Sequence, residues 1–242
     1  MENVLPHGTT LTWLGHSTVR IGTPSGARIL IDPWTYGNPS CPAADKDPGP
    51  LDLILITHAH DDHIGDAVRI AHDTGARVVA IGEIGHHLWR LGVSESRMVQ
   101  MNRGGTVRFP DLGVSITQTV ALHSSSTVVD GAIVALGEPC GYVVDIDGFA
   151  IYHAGDTDVF SDMRLIADLY APKVALLPIG DHYTMGPEDG VRAADMLGPK
   201  VVIPCHYNTF PPIAQDEAAF AAKVEAKGIR CAPLSPGESV EV

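Results

Sequence analysis

The stretch Leu51-Asp52-Leu53-Ile54-Leu55-Ile56-Thr57-His58-Ala59-His60-Asp61-Asp62-His63 decides the fold. Its first half, Leu51–Thr57, is a nearly continuous apolar run, the pattern of a strand buried on both faces. Its second half crowds four ligand-type residues, His58, His60, Asp62 and His63, into six positions. Side chains two apart in an extended stretch face the same way, so His58 and His60 can grip one metal ion together. Asp62 and His63 fall where the chain turns into a helix, and can point towards a second ion. Imidazole and carboxylate without thiolate suit Zn, Mn, Fe or Co better than a closed structural zinc site. Asp61 reads as a helix-start residue.

Outward from this stretch the chain punctuates itself with Gly and Pro. Short β-type runs precede it at Thr9–Trp13, Thr18–Ile21 and Arg28–Ile31. Tyr36–Pro50 holds four prolines and two glycines and reads as a loop, either a lid or a surface excursion. After the histidines, Ile64–His72 has helical spacing, Arg77–Ile81 reads as a buried strand, and Glu83–Leu91 as a helix. Met98–His123 is rich in β-branched residues and turns, the pattern of antiparallel hairpins. Gly141–Ile146 and Phe149–His153 flank Asp147-Gly148, a two-residue hairpin turn. Helices at Ser161–Leu169, Pro187–Leu197 and Asp216–Lys227 alternate with strands at Val174–Pro178 and Val201–Pro204, before a last short strand. Meandering strands followed by helix–strand units in each half predict two packed sheets with helices outside. The expectation is an α/β fold (α+β by some schemes), one domain over residues 1–242.

Further ligand-type residues recur at one structural place. Asp32 ends the strand Arg28–Ile31, His123 ends Val114–Leu122, Asp156 follows Ala150–His153, and His206 follows Val201–Cys205. Open sheets present ligands to a shared crevice at such strand ends.

The chain has 242 residues, 45% hydrophobic and 19% charged, a balance that supplies a core and argues against disorder and coiled coil. A net charge of −13 argues against a nucleic-acid binder, which needs a basic footprint. Cys41, Cys140, Cys205 and Cys231 show no CxxC spacing and read as reduced thiols of a cytoplasmic protein. The N-terminus lacks the basic and apolar regions of a signal peptide. No apolar run approaches the roughly 20 residues that span a bilayer. A soluble, cytoplasmic protein without a membrane partner is expected.

The motifs carry a family resemblance. His-x-His-x-Asp-His at 58–63, then His123, Asp156 and His206 in that order, resembles the metallo-β-lactamase superfamily over nearly the whole chain. More narrowly, Leu14-Gly15-His16-Ser17, Ile31-Asp32-Pro33, Ala121-Leu122-His123-Ser124-Ser125-Ser126 and Tyr152-His153-Ala154-Gly155-Asp156-Thr157 resemble a bacterial and archaeal family of uncharacterised metal-dependent hydrolases. Thr184-Met185-Gly186-Pro187 and Pro204-Cys205-His206-Tyr207-Asn208-Thr209-Phe210-Pro211 do the same. That family is related more distantly to the bacterial ascorbate-phosphate lactonase.

The resemblance implies a four-layer αββα sandwich with a dinuclear site at one edge, holding two divalent ions, zinc first, with manganese or iron as alternatives. His58, His60 and His123 would hold one ion, Asp62, His63 and His206 the other, and Asp156 would bridge both. Asp32 would orient ligands through hydrogen bonds. The best-known β-lactamases place Cys where Asp156 stands, and Cys205 only adjoins His206, so antibiotic hydrolysis is disfavoured. Flavo-diiron oxygen reductases have Glu where His60 stands and carry a flavodoxin domain that has no counterpart here. A tRNA-processing nuclease would need a basic RNA-gripping arm.

Two ions can lower the pKa of a shared water until hydroxide exists near neutral pH, with no Ser or Cys nucleophile needed. The expected function is hydrolysis of a small ester, lactone or amide by a metal-bridging hydroxide, Asp62 and Asp156 being essential. A phosphodiesterase or nuclease is the alternative within enzymes, and a non-catalytic metal-binding scaffold the alternative outside them. His16 reads as a pocket-lining residue that either supports a ligand or acts as the acid, or as a structural hydrogen-bonding residue, and His182 is the other candidate proton donor, with Tyr183 behind it. His153 precedes Asp156 inside the strand end and reads as support behind the ligands. Ser124, Ser125, Ser126, Asn208 and Thr209 read as turn residues or substrate contacts, and His7, His72, His86 and His87 as surface or core. The partner expected is a small-molecule substrate, and assembly into a homo-oligomer is compatible with the composition.

Overall fold

A computed structural model of the protein describes residues 8–240, so His7 lies outside the described residues. Three short strands, β1 (Thr10–Trp13), β2 (Val19–Gly22) and β3 (Arg28–Ile31), form an antiparallel meander. The chain then passes through β4 (Leu53–Leu55), α1 (Asp61–Ile64), α2 (Ala67–Thr74), β5 (Arg77–Ile81), α3 (Gly82–Arg90) and β6 (Met98–Met101). Here β3, β4, β5 and β6 run parallel.

The second half repeats the plan. An antiparallel hairpin, β7 (Thr106–Phe109) and β8 (Val114–Val120), is followed by a separate two-stranded ribbon, β9 (Ser126–Val129) and β10 (Ala132–Ala135). Then come β11 (Cys140–Ile146) and β12 (Phe149–His153), joined by Asp147-Gly148 with φ of 51° and 85°, the primed turn that its sequence predicts. After these, α4 (Met163–Tyr170), β13 (Val174–Pro178), α5 (Pro187–Leu197), β14 (Val201–Cys205), α6 (Glu217–Glu225) and β15 (Arg230–Cys231) alternate. A last strand, β16 (Ser239–Val240), returns to the first sheet. The sheets have the orders β16-β1-β2-β3-β4-β5-β6 and β15-β14-β13-β12-β11-β8-β7.

Strand alternation sorts the side chains into layers. Ile29, Ile31, Leu53, Leu55 and Val79 of the first sheet face Ile116, Tyr142 and Val144 of the second in one buried cluster. Their neighbours Leu30, Ile54, Val78 and Ala80 point the other way, onto Ile64, Ile70, Ile84 and Leu88 of α1, α2 and α3. The order is helix, sheet, sheet, helix, as the sequence and its resemblance predict. All four cysteines are free and buried. No helix among the described residues is long and apolar enough to cross a membrane.

Three expectations need correction. The strand expected over Leu51–Thr57 is regular only at Leu53–Leu55, because the residues that follow turn to carry ligands. The helix expected over Ile64–His72 is two helices, broken at Gly65, where φ is 31°. A Cβ at that glycine would stand 2.8 Å from the Cβ of Trp34, so only glycine lets the two segments meet. Finally, Met98–His123 is not a run of hairpins: β6 joins the first sheet in parallel, and only β7–β8 is a hairpin.

Candidate metal centre

Most of the ligand-type residues singled out in the sequence emerge where a strand ends, while Asp62 and His63 lie on α1. His16 follows β1, Asp32 follows β3, His58 follows β4, His123 follows β8, Asp156 follows β12 and His206 follows β14. His16, Asp32 and His206 have φ of 55°, 51° and 53°, a left-handed backbone that costs a non-glycine residue about 1–3 kcal/mol. Their surroundings hold them there. The His16 carbonyl accepts from the Trp13 indole at 2.8 Å and from the His206 amide at 2.9 Å. The Asp32 amide donates to the Leu55 carbonyl at 2.8 Å.

A hydrogen-bond network fixes which nitrogen of each ring faces the centre. Asp32 accepts the Thr57 amide at 2.8 Å on one oxygen, and the Thr57 hydroxyl and His63 Nδ1, each at 2.8 Å, on the other. The Thr57 hydroxyl is then free to accept from His58 Nδ1 at 3.0 Å. Both rings turn Nε2 inward, the nitrogen that an Nδ1-donating histidine offers to a metal ion. Asp32 bonds directly to His63 and, through Thr57, reaches His58. Thr57, whose role the sequence reading missed, is the link between Asp32 and two histidines.

The donors converge in two trios. One atom each from His58, His60 and His123 lies within 4.8 Å of the others, and the same holds for Asp62, His63 and His206, which His16 joins as a fourth. Asp156 stands between them. Its Oδ2 is 3.0 Å from His206 Nε2, 3.3 Å from His63 Nε2, 3.6 Å from His123 Nε2 and 3.9 Å from His58 Nε2. His58 Nε2 and His60 Nδ1 approach to 2.9 Å. The turn Ala154-Gly155 delivers Asp156, and a Cβ on Gly155 would stand 2.5 Å from the Cys140 carbonyl, so glycine is required there. His153 braces the same turn, its Nδ1 accepting from the Gly155 amide at 3.1 Å while its Nε2 reaches the Ser17 carbonyl at 3.0 Å.

Charge and burial describe a seat for a cation. Burial holds His58, His60 and His123 below the ordinary imidazole range. Burial would also lower His63, but the Asp156 and Asp32 carboxylates outweigh it and push it well above. Burial would raise Asp156, yet the facing His206 and His63 hold it well below the usual carboxylate range. The buried Asp156 Oδ1 and His63 Nε2 have no hydrogen-bond partner, each a cost of about 1–3 kcal/mol if nothing else satisfies it. Unpartnered donor atoms aimed into a nest of bare imidazoles fit divalent ions. Cys205, its thiol pushed well up by burial, belongs to neither trio.

His16 lies wholly buried against the second trio. Its Nδ1 meets Thr209 Oγ1 at 2.9 Å and its Nε2 meets Asp62 Oδ2 at 3.0 Å. Burial and the adjacent His206 lower it to about 4, so the ring is neutral at pH 7 and holds Asp62 by donating from Nε2. His182 and Tyr183 are exposed on the turn after β13 and make an edge-on ring pair at 4.5 Å with each other. His182 is in neither donor group. Among the turn residues, Ser124 reaches His60 Nε2 at 3.2 Å and Thr127, unmarked in the sequence reading, donates to Asp61 at 2.8 Å. His72 and His86 are exposed, His87 half-buried, and all three lie on α2 and α3 outside the donor groups.

Known proteins resemble this chain over most of its length. Residues 27–207 match the family described as the beta-lactamase superfamily domain. A UPF0173 metal-dependent hydrolase of Koribacter versatilis is 45% identical over 96% of this chain and 97% of its own. Another, of Methanopyrus kandleri, is 47% identical over 96% of this chain and 99% of its own. The solved structure of a metallo hydrolase from the archaeon Ignicoccus hospitalis superposes with a TM-score of 0.85 at 44% identity, covering 96% of this chain and 97% of that one. With its fold, its donor cluster and its full-length relatives in agreement, the chain belongs to the UPF0173 metal-dependent hydrolases of the beta-lactamase superfamily.

Proposed function

We propose that the protein hydrolyses a small, carbon-centred substrate (an ester, lactone or amide) at a centre of two divalent ions, zinc in the first instance. The observation that carries this reading is the position of Asp156 Oδ2, within 3.9 Å of a histidine nitrogen from each of two separate trios. His58, His60 and His123 would hold one ion and Asp62, His63 and His206 the other, with Asp156 shared. Such a pair supplies a hydroxide near neutral pH and a positive field for the oxyanion of the transition state.

The chain's own residues do the rest. Asp32 and Thr57 keep the His58 and His63 rings in the ligating tautomer. His16 fixes the Asp62 carboxylate from below, where it is closed to solvent, while Asp62 itself keeps 33% of its side chain exposed and forms part of the mouth. His182, exposed on its turn, is the remaining candidate for a proton donor.

The test is metal analysis followed by turnover on a lactone–ester series and a phosphodiester series, with Asp62→Asn as control. Two ions per chain and cleavage of the carbon series, lost in Asp62→Asn, are expected. Cleavage confined to phosphodiesters would move the assignment to phosphorus. Less than one ion per chain after reconstitution would remove the hydrolytic centre.

A further inference from the structure

The open side of the second trio has an aromatic wall. Asp62 is the exposed donor there, and the ring of His16, which holds it, is met edge-on by Trp34 at 5.2 Å and by Phe210 at 5.8 Å between centroids. Trp34 and Phe210 lie 6.1 Å apart, tilted by 36°. Phe210 is 37% exposed and Trp34 half-buried, so both present ring surface while His16 beneath them presents none.

The wall is built and held. Trp34 sits between two glycines: a Cβ on Gly37 would come within 2.5 Å of its indole nitrogen, and one on Gly65 within 2.8 Å of its Cβ. Its amide donates to the Asp32 carbonyl at 2.8 Å, and its own carbonyl accepts the Thr18 hydroxyl at 3.0 Å. The turn that carries Phe210 is pinned through Asn208, whose side chain accepts the Gln215 amide at 2.8 Å and reaches Glu217 at 3.2 Å. A rigid apolar surface beside a reactive centre binds without a cost for ordering it.

Charge narrows what it binds. Among the described residues, the ion pairs of Lys and Arg all lie elsewhere, with Asp45, Asp73, Asp111, Glu138, Asp189, Glu188 and Asp195. An anionic tail on this flank would find two aromatic rings and the Asp62 carboxylate. The cations nearest Trp34 are already engaged: the Lys46 ammonium donates to the Thr35, Tyr36 and Asn38 carbonyls, and the Arg69 guanidinium lies over the Tyr36 ring, so neither is free to recognise a carboxylate or phosphate. A second exposed apolar residue, Leu122 at 48%, lies directly before His123 on the other flank.

We propose that Trp34 and Phe210 seat the apolar group of an uncharged ester or lactone, and so select neutral, apolar substrates over anionic ones. This rests on the hydrolytic reading above, and the test separates the two. Metal-loaded protein and its Phe210→Ala, Phe210→Leu and Trp34→Phe variants are given the methyl esters of acetic, phenylacetic and succinic acid, with acid release followed by titration. The phenylacetyl ester is expected to be the best of the three. Phe210→Ala should cut the phenylacetyl-to-acetyl ratio of kcat/KM about tenfold, chiefly through KM, with Phe210→Leu recovering part and metal content unchanged. Preference for the succinyl ester, or an unaltered ratio in both Phe210→Ala and Trp34→Phe, overturns the proposal.

If none of the three esters is cleaved, phenylacetone, which cannot be hydrolysed, still decides the seat by calorimetric titration, independently of the hydrolytic reading. Saturable binding that weakens in Phe210→Ala upholds it. Absence of saturable binding removes it.

Discussion

Asp32 uses both oxygens as acceptors: for the Thr57 amide on one side, and for the Thr57 hydroxyl and His63 Nδ1 on the other. An asparagine in its place must turn its NH2 towards one of those donors, whichever way it flips. Asp32→Asn is therefore expected to leave the fold standing and to weaken metal binding about 10- to 100-fold, read by competition with a chromophoric chelator. Unchanged affinity would mean that His63 is oriented without the carboxylate. The donors themselves were legible in the sequence because metal ligation uses few residue types at short spacings and at strand ends. Thr57 and Thr209 were not, since a hydroxyl's partner is chosen by the tertiary fold. His16 was half legible: its motif pointed to the site, but its bond to Asp62 joins residues 46 apart.

At the scale of elements, the break at Gly65 is what lets α1 carry two donors and still hand the chain to α2 at a new angle. Gly65→Ala meets Trp34 and an unfavourable φ together, and should destabilise the protein by about 1–3 kcal/mol in chemical denaturation. Wild-type stability would show that the Trp34 ring simply moves aside. Most helices and strands were legible from apolar periodicity, but two features were not. The parallel pairing of β6 depends on α3 folding back over the first sheet, a non-local event that its own residues do not encode. The ribbon β9–β10 was readable in principle, since Asp130-Gly131 has φ of 51° and 80° and is the same kind of turn as Asp147-Gly148. Its outward residues, Val128 at 60% and Ile133 at 81% exposed, hide the alternation that a half-buried ribbon normally displays.

At the scale of the whole molecule, the two sheets are bolted by polar contacts inside an apolar interface. The Tyr142 hydroxyl, on the second sheet, points at the Ile56 carbonyl at 2.9 Å and the Val79 carbonyl at 3.1 Å of the first, and accepts from Gln118 at 2.9 Å. Tyr142→Phe keeps the ring and strands those partners in a buried place, so a loss of about 1–3 kcal/mol in urea unfolding is expected, with metal content intact. No loss would indicate that the carbonyls are satisfied by their strand partners alone. Topology of this kind was legible only through resemblance, because periodicity marks strands without ordering them.

The repeated plan of the two halves has a consequence for how the centre comes into being. Each trio draws two members from the first half and one from the second: His58 and His60 with His123, Asp62 and His63 with His206. Neither half owns a binding site, and docking the sheets is the same event as assembling the donors. An ion gripped by either trio would be a removable cross-link between the halves, stabilising the docked state by about 2.7 kcal/mol when its free concentration is a hundred times Kd. The cohesion of the sandwich is thereby tied to the metal supply around it, and stripping the ion would loosen the seam as well as silence the chemistry.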